Sequence, residues 1–86
     1  MKHLFIYVTA VEVLDDYRLL ITFEDGVKKT YDLKDKLEGY YFEPLKDPEM
    51  FKKVYIEAGA LAWPNGAGIC HDEIYRNGID VARKIA

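Results

Sequence analysis
The chain has 86 residues, 50% of them hydrophobic and 14% aromatic, with 12 basic and 15 acidic side chains giving a net charge of −3. A chain of this length forms one domain, buries roughly 60–65% of its unfolded surface, and carries too many apolar residues to stay disordered. The charge balance lacks the basic footprint of sequence-independent nucleic-acid binding, no segment approaches the roughly 20 apolar residues of a membrane span, and the single cysteine excludes an internal disulfide and suits a reducing cytoplasm.

The stretch from Met1 to Val8 is too short in apolar residues for a signal peptide, and Glu12, Asp15 and Asp16 follow at once, so it reads as a strand. Tyr7 to Leu14 is that strand, with Val11 and Val13 on one face and Glu12 on the other. Asp15-Asp16 is turn chemistry. From Tyr17 to Phe23 the alternation has period two: Tyr17, Leu19, Ile21 and Phe23 share one face, Arg18, Leu20 and Thr22 the other. Glu24-Asp25-Gly26 makes a second turn. Val27 to Leu33 alternates again, setting Val27, Lys29, Tyr31 and Leu33 against Lys28, Thr30 and Asp32. These three segments predict an antiparallel meander.

Residues 34–50 are less regular. Leu33 and Leu37 lie four apart on one side of a helical turn that Gly39 ends. Tyr40, Tyr41, Phe42 and Leu45 supply apolar cover for the sheet. Asp47 is placed to cap a short turn of Pro48-Glu49-Met50-Phe51, with proline at the first helical position. Lys53 to Glu57 reads as a fourth strand with Val54 and Ile56 inward, Ala58-Gly59 as its turn, and Ala60 to Trp63 as a fifth strand. Pro64-Asn65-Gly66 ends that strand. Asp72 is positioned to cap a helix through about Asn77, stopped by Gly78. Ile79 to Ala86 has Val81 and Ile85 at helical spacing and reads as a terminal turn.

The predicted architecture is α+β: a three-strand meander plus a β-hairpin, five largely antiparallel strands in all, with one or two short helices. Seven tyrosines against four phenylalanines suit a half-exposed sheet face or an interface.

Several fragments carry a family resemblance that runs from about Val8 to Gly78. They are Val11-Glu12-Val13 with Tyr17-Arg18-Leu19, Phe23-Glu24-Asp25-Gly26, Tyr31-Asp32-Leu33, Leu45-Lys46-Asp47 with Phe51-Lys52-Lys53-Val54, and finally Leu61-Ala62-Trp63-Pro64-Asn65-Gly66 with Glu73-Ile74-Tyr75. On these the chain resembles the small bacterial proteins grouped as domain-of-unknown-function family 2442. Gly68 stands where that family usually has an acid, and His71 where it often has proline. The resemblance implies a small α+β domain whose gene neighbours one of family 4160 in an arrangement similar to a toxin–antitoxin pair. Longer relatives append a helix-turn-helix domain, which this chain is expected to lack. The resemblance supplies no catalytic residues.

The residues themselves point away from catalysis. Cys70-His71 invites a nucleophile–base reading, but neighbours on an extended chain point opposite ways, and no third group is evident. His3, Cys70, His71, Asp72 and Glu73 lack the spacing of a zinc site. The paired acids at 15–16 and 24–25 sit in turns, and Gly59, Gly66 and Gly68 form no phosphate loop.

The expected function is therefore a non-catalytic protein-interaction module, the antitoxin-like partner of a small bacterial protein encoded nearby. It would act in the cytoplasm without cofactor or metal, and without contacting nucleic acid or membrane. A homodimer through an edge strand is physically accessible. Trp63, Asn65, His71, Asp72 and Tyr41 are the candidate binding residues. Two alternatives stand beside this: a dimerising component of a DNA-associated regulator, and a small ligand-binding domain using the Trp63–Glu73 loop.

Overall fold
The computed structural model describes residues 6–39 and 42–81. Strands β1 (Val8–Val13), β2 (Arg18–Phe23) and β3 (Lys28–Asp32) form the meander, pairing Val11 with Ile21 and Ile21 with Lys29. The alternation works as the sequence suggests. Leu19, Ile21, Phe23 and Tyr31 are buried on one face, while Glu12, Arg18, Lys28 and Asp32 on the other are exposed. One irregularity serves the core. The register shifts between Val8 and Ala10, so Val8 pairs with Phe23 and is buried instead of sharing the outward face of Ala10.

The two meander turns differ. Gly26 takes a left-handed conformation that costs it nothing. Asp16 and Tyr17 adopt the same region, at φ 65° and 61°, without that freedom. Tyr17 is therefore part of the turn rather than the first residue of β2. Its surroundings hold it there: its carbonyl accepts from Leu33 N–H, its hydroxyl donates to the Lys46 carbonyl, and its ring meets Phe51 edge-on at 5.3 Å.

Beyond the meander, single 3₁₀ turns at Lys34–Lys36 and Glu43–Lys46 bring Leu33, Leu37 and Leu45 into the core. Helix α1 (Pro48–Phe51) starts as predicted, with Asp47 Oδ1 accepting from Glu49 N–H at 3.0 Å. A second sheet follows: β4 (Tyr55–Glu57), β5 (Ala60–Ala62) and β6 (Gly68–Ile69), in that order. Helix α2 (His71–Asn77) leads to β7 (Ile79–Asp80), which returns to pair with β3.

The architecture is α+β, with a four-strand antiparallel sheet β1-β2-β3-β7, a three-strand sheet and short helices. Where the sequence predicts five strands, the described residues form seven in two sheets. The additional strands, β6 and β7, hold two residues each, too few for any periodicity to show. Ile79 and Asp80 pair with β3 instead of opening the predicted terminal turn, Asp80 opposite the almost buried Lys29; residues 82–86, with Ile85, lie outside the described residues. On β4, Ile56 does share a face with the buried Leu61, yet the strand lies at the sheet rim and Ile56 remains exposed. One apolar cluster joins both sheets and both helices, with Trp63, Phe23, Leu45, Leu61 and Ile74 at its centre.

The β4–β5 turn generates a prediction. Ala58 and Gly59 both have positive φ, 53° and 79°, the pattern of a type I′ hairpin in which alanine is strained. Ala58→Gly should raise stability by about 1 kcal/mol in urea unfolding. Gly59→Ala should lower it by more, because the new methyl would lie 2.5 Å from Tyr7 Cγ.

Candidate interaction surface
The segment from Trp63 to Glu73 is built for packing. Pro64 stops β5, Trp63 N–H bonds to the Ala67 carbonyl at 2.9 Å, and Gly66 N–H closes the turn on the Trp63 carbonyl at 3.1 Å. Gly66 is left-handed, at φ 100°, as a three-residue hairpin loop requires. Asn65 Oδ1 accepts from Ala67 N–H at 3.2 Å, so its side chain braces the turn. Trp63 is 1% exposed, and its indole N–H donates to the Phe51 carbonyl at 3.0 Å. Trp63, named among the candidate binding residues, thus has its ring and its one polar side-chain atom engaged inside the protein. Gly68 also gains a local reason, because a Cβ there would approach the Leu61 carbonyl oxygen to 3.1 Å, tight for any acidic side chain.

His71 and Asp72 lie together in the first turn of α2. Asp72 does not cap the helix; Cys70 occupies that position without a side-chain cap bond, and Asp72 instead reaches Arg76 Nε at 3.5 Å. The His71 ring meets Tyr7 edge-on at 4.9 Å. His71 Nδ1 and Asp72 Oδ1 are enclosed and make no hydrogen bond among the described residues. Cys70 is exposed. Among the described residues no three His, Cys, Asp or Glu side chains converge as metal ligands would. Tyr41 and His3 lie outside the described residues.

Among the described residues the tyrosines do not form one face. Tyr31 and Tyr75 are polar staples that hold α2 on the meander. Tyr31 Oη donates to Glu73 Oε2 at 2.7 Å, and Tyr75 Oη donates to Asp25 Oδ2 at 2.7 Å. Burial and the Glu73 carboxylate push the Tyr31 hydroxyl far above its ordinary range, while the bond from Tyr31 holds Glu73 below the usual carboxylate value. The bond to Asp25 likewise raises Tyr75. A third staple joins Lys29 Nζ to Asp80 Oδ1 at 2.6 Å, with the ammonium 5.1 Å from the centre of the Tyr75 ring.

The most exposed large apolar side chain among the described residues, Ile79, lies elsewhere. Register places Glu12, Leu20, Thr30 and Ile79 in one row across the outer face of the four-strand sheet. A parallel row holds Ala10, Thr22 and Lys28, and Val81 joins it through its N–H bond to the Lys28 carbonyl at 3.1 Å. Every residue of both rows is exposed or half-buried, and Ile79 reaches 70% exposure. Arg18 and Asp32 pair at one end of this face. The sequence marks Leu20 as an outward apolar residue, but Ile79 and Val81 join it only once β7 is recognised as a strand. Beside them lies a shallow cleft of about 270 Å³ whose lining includes Thr30, Asp35, Lys36, Asn77 and Ile79.

In comparison with protein families, the model of DUF2442, described as a protein of unknown function, matches residues 8–80. The chain belongs to that family. No curated protein and no solved structure matches it.

The Tyr31–Glu73 staple should show in the pH dependence of stability. The depressed Glu73 contributes above its ordinary value of 4.5 and loses that contribution as pH falls through the folded value. The raised Tyr31 contributes below 10.0 and loses its contribution as pH rises beyond that. Tyr31→Phe should therefore cost about 1 kcal/mol, given the solvent around Glu73, and the difference from the natural chain should be flat between those limits. Urea unfolding across pH should show that difference shrinking on both the acid and the alkaline side.

Proposed function
We propose that this member of DUF2442 is a non-catalytic protein-interaction module, the antitoxin-like half of a bacterial two-gene pair, whose partner docks on the outer face and β7 side of the four-strand sheet. The observation that carries the reading is Ile79, 70% exposed on an edge strand. It continues the row of Leu20 and Thr30, with Val81 beside it. An apolar centre framed by charges of both signs is the usual anatomy of a protein–protein surface. Here Leu20, Ile79 and Val81 form the centre, and Glu12, Arg18, Lys28 and Asp32 form the rim.

The mechanism is occlusion. A partner that lays its own apolar surface over these rows gains from desolvating Ile79 and Leu20, and the rim charges fix its orientation. The distribution of cations favours a protein over a phosphate backbone. Lys34, Lys36, Lys46, Lys52 and Arg76 each lie within 4 Å of a carboxylate, so they make no continuous basic track. The polar groups of Cys70, His71 and Asp72 have no part in this reading.

Expression of the tagged chain from its native gene neighbourhood, followed by purification and mass spectrometry, is the test. A neighbour-encoded protein should co-purify in stoichiometric amount. Ile79→Lys should reduce its recovery at least about tenfold while changing stability by less than about 0.5 kcal/mol, because the side chain is exposed. Undiminished recovery with Ile79→Lys would show the wrong face has been chosen, and recovery of the chain alone would count against the module itself.

A further inference from the structure
We propose that the free edge of β1 is a second docking site, taken by an extended segment of a partner protein whose apolar–basic–apolar pattern pairs antiparallel to Val11-Glu12-Val13. This goes beyond the outer-face reading and leaves it intact, since Leu20, Ile79 and Val81 stay where they are.

The backbone of β1 is only partly used. Leu14 N–H bonds to the Arg18 carbonyl at 2.8 Å, while Phe23 N–H bonds to the Val27 carbonyl and Leu33 N–H to the Tyr17 carbonyl, both at 2.9 Å, on the other side of β2. Antiparallel pairs alternate between hydrogen-bonded and non-bonded positions. Arg18, Leu20 and Thr22 therefore bond to Leu14, Glu12 and Ala10. Val11 and Val13, opposite Ile21 and Leu19, turn their N–H and carbonyl groups away from β2. Among the described residues those four groups have no other hydrogen bond. The β4–β5 hairpin closes the start of this edge, where Val8 N–H reaches the Gly59 carbonyl at 2.8 Å. At its other end lies a cleft of about 210 Å³, lined in part by Val13, Leu14, Tyr17, Pro48, Phe51 and Lys52. A strand added here extends the sheet and satisfies all four backbone groups.

Side chains set the chemistry of that strand. Val11 and Val13 are half-buried on the inner face, so apolar residues belong opposite them, the one opposite Val13 entering the cleft. Glu12 between them is exposed on the outer face and has no ion pair among the described residues. It takes a non-hydrogen-bonded position of the new pair, where cross-strand side chains stand closest, so a lysine or arginine opposite it is favoured and an acid is opposed. Lys52 beside the cleft opposes a cation on the inward side.

The same carboxylate tells against a second copy of this chain as the occupant. Twofold pairing that sets Val11 opposite Val13 brings the two Glu12 side chains together. Setting Val11 opposite Val11 runs Val13 onto Thr9, where the register with β2 breaks. Setting Val13 opposite Val13 runs Val11 onto Asp15, in the turn beyond the strand.

The test uses the full chain, labelled with ¹⁵N, and two synthetic peptides that share an Ile-x-Val centre and differ only in Lys or Glu at x. The lysine peptide should shift the Val11 and Val13 amides and bind at least about threefold tighter than the glutamate peptide, and Glu12→Lys should reverse that order. N-methylation of the peptide's Ile or Val amide, which faces β1, should weaken binding at least about tenfold, whereas N-methylation of the lysine amide, which faces away, should be tolerated. Ile79→Lys, which disables the outer face, should leave peptide binding unchanged, so the two surfaces are judged separately. Absence of binding, shifts away from β1, equal binding of the two peptides, or indifference to the place of the methyl group would overturn the proposal. In the chain alone, the Val11 and Val13 amides should exchange rapidly with solvent. Slow exchange there would show the edge already filled, and concentration-dependent shifts there would make a second copy the occupant; either result overturns the proposal.

Discussion

The burial of Trp63 is the constraint on which the rest of this domain depends. Its indole N–H reaches across to the Phe51 carbonyl, joining the end of β5 to α1, and its ring packs near Phe42 and Phe51. A buried indole without that acceptor costs free energy, and a backbone carbonyl left unpaired beside it costs more. The Pro64-Asn65-Gly66 turn, the side-chain brace from Asn65 and the buried Ala67 and Ile69 all follow from delivering Trp63 to this position.

Polar chemistry elsewhere is organised in the same way. The hydroxyls of Tyr31 and Tyr75 and the ammonium of Lys29 each end on a carboxylate supplied from a distant part of the chain: Glu73, Asp25 and Asp80. Together with Ile74 they attach the α2–β7 segment to the meander. Contacts of this kind are worth modest amounts singly, yet they set the position of a segment whose apolar burial is concentrated in one residue. They leave the sheet with two contrasting faces: an inner one filled by both sheets and both helices, and an outer one bearing Leu20, Ile79 and Val81 among charges.

Much of this is legible in the sequence, for identifiable reasons. The meander shows because β2 and β3 alternate with period two over five or six residues. The capped α1 shows because Asp47 precedes Pro48, and the Ala58-Gly59 turn shows because β-strand residues flank it. Strands β6 and β7 are invisible because two residues cannot display a period, and β7 exists only through pairing with residues some fifty positions earlier. Tyr17 reads as a strand residue because its ring turns inward, although its backbone belongs to the turn. For the site, two conspicuous residues have structural duties of their own. Trp63 and Asn65 stand out by type, yet they serve the fold. The exposed rows stand out only by register, which depends on the strand that cannot be seen.

The central claim is that the outer face of the four-strand sheet, rather than the Trp63–Glu73 loop, meets the partner. Amide-resolved hydrogen exchange on the chain, alone and in complex with its co-purified neighbour, tests it most directly. The account predicts slowed exchange across β3 and β7 in the complex, with the amides of 63–73 unchanged. Slowed exchange confined to 63–73, with β3 and β7 exchanging as in the isolated chain, would contradict it.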